Sequence, residues 1–216
     1  MNPTVYSKSF KFHPDYMDTG CAILADRNYV FTSGVNILGG CNGSGKTTLL
    51  RQLKDQLESS NIPVIAFNNL TDGVEYVKGM AALQQDWNLV GTAMCSSEGE
   101  NVILALGQMA EKIGRFCRNY QGEPELWFLF DAIDSGLSID NIIEVKEHLF
   151  NFLIRENPDS TVYIVAAANS FEMVRGERHI DVNTGFSGYF HDHDYESYRS
   201  FILNSRELKN KRVYTK

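Results

Sequence analysis

One stretch limits the fold of this chain more than any other: Gly40-Cys41-Asn42-Gly43-Ser44-Gly45-Lys46-Thr47, a complete G-x-x-x-x-G-K-[ST] loop. It follows an apolar run suited to a strand, Val35-Asn36-Ile37-Leu38, and opens a run suited to a helix, Thr47 to Leu57. In that setting glycines let backbone N–H groups turn inward as an anion nest. The start of the helix adds its positive dipole end. Lys46 is placed to reach the β- and γ-phosphates of a nucleoside triphosphate, and the Thr47 hydroxyl to ligate Mg²⁺. The bland alternative is a glycine-rich turn that caps an ordinary helix.

The pattern around the loop asks for an α/β fold. Short strand-like pieces precede it (Ser9–His13, Cys21–Leu24, Tyr29–Thr32), and Pro63–Phe67 reads as a buried strand. A long amphipathic helix is expected from about Glu98 to Arg118, with Val102, Ile103, Leu106, Met109, Ile113 and Phe116 at helical spacing. Leu126–Phe130 is apolar throughout, as a central strand is. A second amphipathic helix carries Ile142, Ile143, Leu149, Phe152 and Leu153, and Thr161–Val165 is another buried strand. Strands that alternate with helices predict a P-loop NTPase fold, a mostly parallel sheet flanked by helices. Nucleotides bind at the carboxyl ends of such strands. The strand 126–130 ends in Asp131, where an acidic residue beside the phosphate loop holds Mg²⁺ directly or through water. A turn or helix-capping aspartate is the alternative.

At 216 residues, the chain is read as a single domain over 1–216, with a small helical subdomain at approximately 70–120. No apolar run approaches the roughly 20 residues of a membrane span, and Met1-Asn2-Pro3-Thr4 lacks a signal pattern, so a cytoplasmic protein is expected. A net charge of −7 argues against a broad nucleic-acid-binding face, leaving direct DNA contact open. Cys21, Cys41, Cys95 and Cys117 form no C-x-x-C pair. His191-Asp192-His193-Asp194 is metal-like in composition, but four consecutive residues cannot converge on one ion, and a polar surface turn is the simpler reading. The basic residues at the end of the chain (Arg206, Lys209, Lys211, Arg212, Lys216) read as a solvated tail or, more sharply, as a contact for an acidic partner.

Three segments resemble the ABC-type ATPases. Gly40 to Leu50 is similar to their G-x-N-G-S-G-K-[ST]-T-L-L loop, Asp131-Ala132-Ile133-Asp134-Ser135-Gly136-Leu137-Ser138 to D-E-P-x-S-x-L-D, and Ser96-Ser97-Glu98-Gly99-Glu100 to the family signature. The order along the chain also fits. The spacing of 85 positions from Lys46 to Asp131 leaves no room for a long coiled-coil insertion and only a reduced helical subdomain. The closest branch is the SMC/RecF-like heads and the small ATPases of phage and bacterial defence loci. The resemblance implies that Gly40, Asn42, Gly43, Ser44, Gly45, Lys46, Thr47 and Thr48 bind ATP and that Thr47 and Asp131 hold Mg²⁺. It further implies an ATP-dependent homodimer in which Ser97 and Gly99 contact the partner's ATP and Ser135 to Ser138 run along the interface. A nuclease or other DNA-processing protein is the partner class the branch suggests, with no membrane involvement. The bland reading of Ser96–Glu100 is a helix start with a serine cap.

Two catalytic positions depart from the pattern. Ala132 stands where the family has its general-base glutamate, a loss typically worth about 10²–10⁴-fold in rate. Asn169 stands at the switch histidine; its amide can bond a γ-phosphate or water but carries no charge. Lys46, Asp131, Ala132 and Asn169 are therefore the catalytic positions, and weak hydrolysis is expected. A natural loss and an engineered substitution both explain Ala132, and a nucleotide-gated module without hydrolysis is the alternative function. Glu98, Glu100 and Asp134 are the other carboxylates available. Asn68 and Asn69 are candidates for an amide that contacts water or Mg²⁺. Tyr6, Phe10 and Phe12 are candidates to stack on adenine, with core packing as the alternative.

Overall fold

A computed structural model describes residues 5–13, 27–68 and 112–214. Two short strands, β1 (Ser7–Phe12) and β2 (Arg27–Thr32), pair as an antiparallel hairpin sheet. A second sheet has six strands: β3 (Gly34–Gly39), β4 (Val64–Asn68), β5 (Glu125–Asp131), β6 (Thr161–Ala167), β7 (Arg178–Asp181) and β8 (Ser187–Tyr189). Their spatial order is β4-β5-β6-β3-β7-β8, parallel except for the antiparallel edge strand β8. This is the mostly parallel P-loop sheet that the sequence predicts.

Alternation along β5 explains why the sheet is covered on both sides. Successive side chains of a strand point to opposite faces. Leu126, Phe128 and Phe130 enter one apolar cluster with Ile113, Ile142, Val145, Phe150 and Met173. Trp127 and Leu129 enter the other, with Leu49, Leu53 and Leu57 of helix α1 (Lys46–Ser59) and with Phe12, Tyr29 and Phe31 of the hairpin. The Trp127 ring stacks on Tyr163 at 4.2 Å and meets Phe10 edge-on at 5.4 Å. Phe12 is fully buried against Tyr29. Phe10 and Phe12 are thus core residues. Tyr6 is exposed, but it borders a hollow with Thr161 and Val162 at the start of β6, the end of the sheet away from the phosphate loop.

Asn36 is the buried polar residue of β3. Its amide donates to Thr32 O (2.7 Å) and accepts from Thr32 N (3.0 Å) and Arg178 Nη1 (2.9 Å). It fixes the strand before the loop between β2 and β7, and its hydrogen-bonding capacity is used, as burial requires.

The second amphipathic helix is interrupted. Helix α2, residues 112–119, precedes β5, and α3 (Ile139–Glu144) follows it. A π-helical stretch, Val145–Phe150, then leads into α4 (Asn151–Arg155). Wider turns shift the inward face to Ile142, Val145, Phe150 and Leu153, while Phe152, expected on that face, is 43% exposed. The remainder of the predicted helix from Glu98, the predicted strand Cys21–Leu24 and most of the expected subdomain at 70–120 lie outside the described residues.

The last two helices are α5 (Phe171–Val174) and α6 (Tyr195–Tyr214). Of the basic residues near the end of the chain, Arg206, Lys209 and Lys211 stand on α6; Arg206 and Lys211 are exposed, as the solvated reading expects, while Lys209 is half-buried. His191 to Asp194 form the turn that enters α6: the Asp194 carboxylate accepts the His191 N–H at 2.7 Å, and Asp192 pairs with Arg175.

Because Leu53 is fully buried where α1 meets the sheet, Leu53→Ala is expected to lower unfolding free energy by about 2–5 kcal/mol. Denaturant titration at constant m-value checks this; a loss under 1 kcal/mol would mean that α1 is not packed as described.

Candidate functional site

The loop closes at the carboxyl edge of β3. Gly40 (φ 145°) and Gly43 (φ 73°) have backbone angles that disfavour a side chain. A Cβ on Gly40 would also fall 2.7 Å from Ser44 Oγ. Lys46 opens α1 and turns back over the loop, its Nζ donating to Gly40 O (2.7 Å), Cys41 O (3.2 Å) and Asn169 Oδ1 (2.9 Å). Thr47 donates its hydroxyl to Asp131 Oδ1 at 3.1 Å, and Asn68 Nδ2 donates to Asp131 Oδ2 at 3.2 Å.

Sheet order explains why these residues meet. β6 lies between the strand that carries the loop and the strand that carries Asp131. Register puts Asn68 opposite Asp131, Asp131 opposite Ala167, and Ala167 opposite Leu38. Asn169, two residues beyond β6, therefore emerges between Lys46 and Asp131. Together Asn42, Gly43, Gly45, Lys46, Thr47, Thr48, Asp131, Ala132, Ala167 and Asn169 line a cleft of about 270 Å³. Gly40 and Ser44 shape the loop from behind, with Ser44 buried. Of the two candidate asparagines, Asn68 reaches the site through Asp131, while Asn69 lies outside the described residues, as do Ser97, Gly99, Glu98 and Glu100.

Burial sets the electrostatics. It lowers the Lys46 pKa, against the opposing pull of Cys41, Asp134 and Asp131. It raises that of Asp131, against the Thr47 hydrogen bond and the charges of Arg51 and Lys46. Both charged forms are thus short of solvation, and a bound anion on the lysine side with a cation on the carboxylate side would relieve both. The donor set fits MgATP: inward-facing loop, buried ammonium, and a hydroxyl beside a carboxylate. Asp131 is the one carboxylate among the described residues that line the cleft. Ala132 is left-handed at φ 54°, a conformation that costs a non-glycine residue of order 1–2 kcal/mol.

Three side chains at this edge have roles that the sequence reading did not assign to them. Asp134, weighed only as a spare carboxylate, is 7% exposed, and its Oδ2 accepts the backbone N–H of both Asn169 (2.7 Å) and Ser170. Ser205 of α6 accepts the Cys41 N–H at 2.9 Å. Lys209, four residues on, donates to Asn42 O at 2.9 Å. One face of α6 thus splints the loop. The spacing of Tyr198, Phe201, Ser205 and Lys209 is helical and was the available signal, but two of the four are polar.

Neither a protein-family model nor a curated protein matches the sequence. Solved structures do match in fold. CbiO1 from Clostridium perfringens, described as part of the ABC transporter complex CbiONQ, superposes with a TM-score of 0.51 at 13% identity, over 97% of this chain and 96% of that one. The ATP-binding cassette MJ0796, solved as a dimer in a post-hydrolysis state with ADP and Pi, gives 0.44 at 14% identity, over 86% and 98%. The chain has the α/β fold of an ABC-type P-loop domain.

Asp131 yields a test that separates stability from binding. Its carboxyl pKa is raised in the fold, so the native state holds that proton more tightly than the unfolded chain. Stability is then lost as pH rises from the ordinary carboxylate value, about 4, through the folded value. Asp131→Asn is expected to melt at or a few degrees above the parent at pH 7 without nucleotide, the gain vanishing near pH 4. Calorimetry across that range checks the sign; a lower melting temperature at pH 7 would reverse it.

Proposed function

We propose that this chain is an ABC-type ATP-binding head that holds MgATP in the cleft, closes as an ATP-dependent homodimer and hydrolyses ATP slowly. The observation that carries the reading is the Thr47–Asp131 contact at 3.1 Å directly beside the buried Lys46. Gly40, Asn42, Gly43, Ser44 and Gly45 would wrap the phosphates, Lys46 would neutralise the β/γ pair, and Thr48 would line the α-phosphate side. Thr47 and Asp131 would hold Mg²⁺, which would supply charge neutralisation to the phosphates. Asn169 uses its Oδ1 toward Lys46, which leaves its NH₂ to donate to a terminal phosphate oxygen. Ser97 and Gly99 would complete the site across the dimer.

Ala132 favours a second reading, a nucleotide-gated module that binds and dimerises with negligible turnover. No other carboxylate among the described residues lining the cleft is available as a base: Asp131 is committed to the cation, and Asp134 does not line the cleft. In either reading the output goes to a partner, which the SMC/RecF-like resemblance makes a DNA-processing or defence protein in the cytoplasm. Among the described residues no helix is long and apolar enough to cross a membrane.

Light scattering with and without MgATP tests the core of the proposal. Mass is expected to double only when ATP is present, and Lys46→Ala is expected to abolish the shift. A single-chain mass under all conditions would reject the homodimer. Turnover separates the two readings: Ala132→Glu is expected to raise ATP hydrolysis by at least tenfold, a threshold set below the range of about 10²–10⁴-fold for a general base. An unchanged rate would leave the gating module.

A further inference from the structure

Asn169 is gripped at three points. Its side-chain Oδ1 accepts from Lys46. Its backbone N–H goes to Asp134 Oδ2 at 2.7 Å, with the next N–H, from Ser170, on the same oxygen. Its backbone carbonyl accepts the Tyr198 hydroxyl at 2.6 Å. Asp134 comes from the turn after β5 and Tyr198 from α6, so two separate elements converge on one peptide unit. Both grips are 6–7% exposed, and Tyr198 is seated by ring contacts to Phe171, Phe190 and Phe201. Buried side chains on unsatisfied backbone groups leave little freedom to the residue they hold. Asn169 is exposed, and it lies between the end of β6 and a helix of only four residues.

We infer that Asp134 and Tyr198 are positioning residues that present the Asn169 amide to the terminal phosphate. The inference rests on the MgATP reading of the cleft. Neither side chain lines the cleft; each acts through Asn169. Asp134 is used as an acceptor of two N–H groups, so an asparagine there, with its amide oxygen, can do the same work. An alanine cannot. Tyr198 is used only as a donor, which phenylalanine removes while keeping the ring.

Since the terminal phosphate is what ATP has and ADP lacks, the ratio of the two affinities reports the position of Asn169. Titration calorimetry with MgATP and MgADP on the full chain is the measurement. Asn169→Ala, Asp134→Ala and Tyr198→Phe are each expected to weaken ATP binding about tenfold, the scale of one hydrogen bond to a charged group. ADP affinity should stay within about twofold. Asp134→Asn is expected to keep the parent ratio, and Tyr198→Phe to add nothing on top of Asn169→Ala. Tyr198→Phe stands as the independent arm where Asp134→Ala does not fold. A parent ratio retained in Tyr198→Phe, or equal losses for ATP and ADP, would overturn the inference and leave the MgATP reading intact. A parent chain that binds neither nucleotide would overturn that reading, and the inference with it.

Discussion

The buried ammonium of Lys46 is the interaction on which the carboxyl edge of the sheet depends. It reaches three oxygens that come from two different connections, the turn after β3 and the segment after β6. Those connections can meet only because β6 runs beside β3 and carries its successor over the loop. β5 then runs beside β6 and places Asp131 in the same row. A cation removed from water needs such a ring of acceptors. Here the acceptors are backbone carbonyls and an amide, and the nearby carboxylates act on it at longer range. A site so arranged keeps its net attraction for anions, because no carboxylate among the described residues cancels its positive charge by direct contact.

Much of this was legible in the sequence, and the reasons are local. The loop is a contiguous motif with a known geometry. β5 and β6 are apolar without interruption, and their length and flanking turns set them apart as buried strands. Asp131 follows because it is the first charged residue after such a run. What stayed hidden depends on spacing or on distance along the chain. β7 and β8 are four and three residues long, too short for any period to register. The π-helical stretch shifted the buried face of α3 and α4 by changing the number of residues per turn, so Phe152 was assigned to the core and Phe150 was not. Asp134 looked like one more acid after Asp131, because its partners are two peptide N–H groups 35 and 36 positions away. α6 offered a weak apolar stripe interleaved with Ser205 and Lys209, which face the loop through hydrogen bonds and not through burial of apolar area.

The edge of the sheet also concentrates what is energetically unfavourable in this fold. Burial disfavours the charged forms of Lys46 and Asp131, and Ala132 is left-handed between Asp131 and the turn that carries Asp134. Away from it the sheet has alternating apolar faces and a satisfied buried asparagine, with departures of its own: Asn61 is left-handed after α1, and Trp127 Nε1 is buried without a hydrogen-bond partner among the described residues. In the cleft the departures fall on the residues that line it, as where a fold trades stability for chemistry. A partly buried lysine in the π-helical stretch, Lys146, closes the carboxyl end of α5 by donating to Glu172 O and Arg175 O. It thereby ties the segment after Asn169 to the helices after β5.

The hydrogen bonds from α6 to the loop have a consequence for how the chain is made. Cys41 is paired with Ser205, 164 positions later, and Asn42 with Lys209, 167 positions later. During synthesis the glycine loop emerges 164 positions before the serine that braces it. At about 5–20 residues per second the interval is on the order of ten to thirty seconds. Contacts of such long sequence separation are also the slow ones in folding. The nascent chain therefore carries its glycine loop unbraced until α6 has been translated.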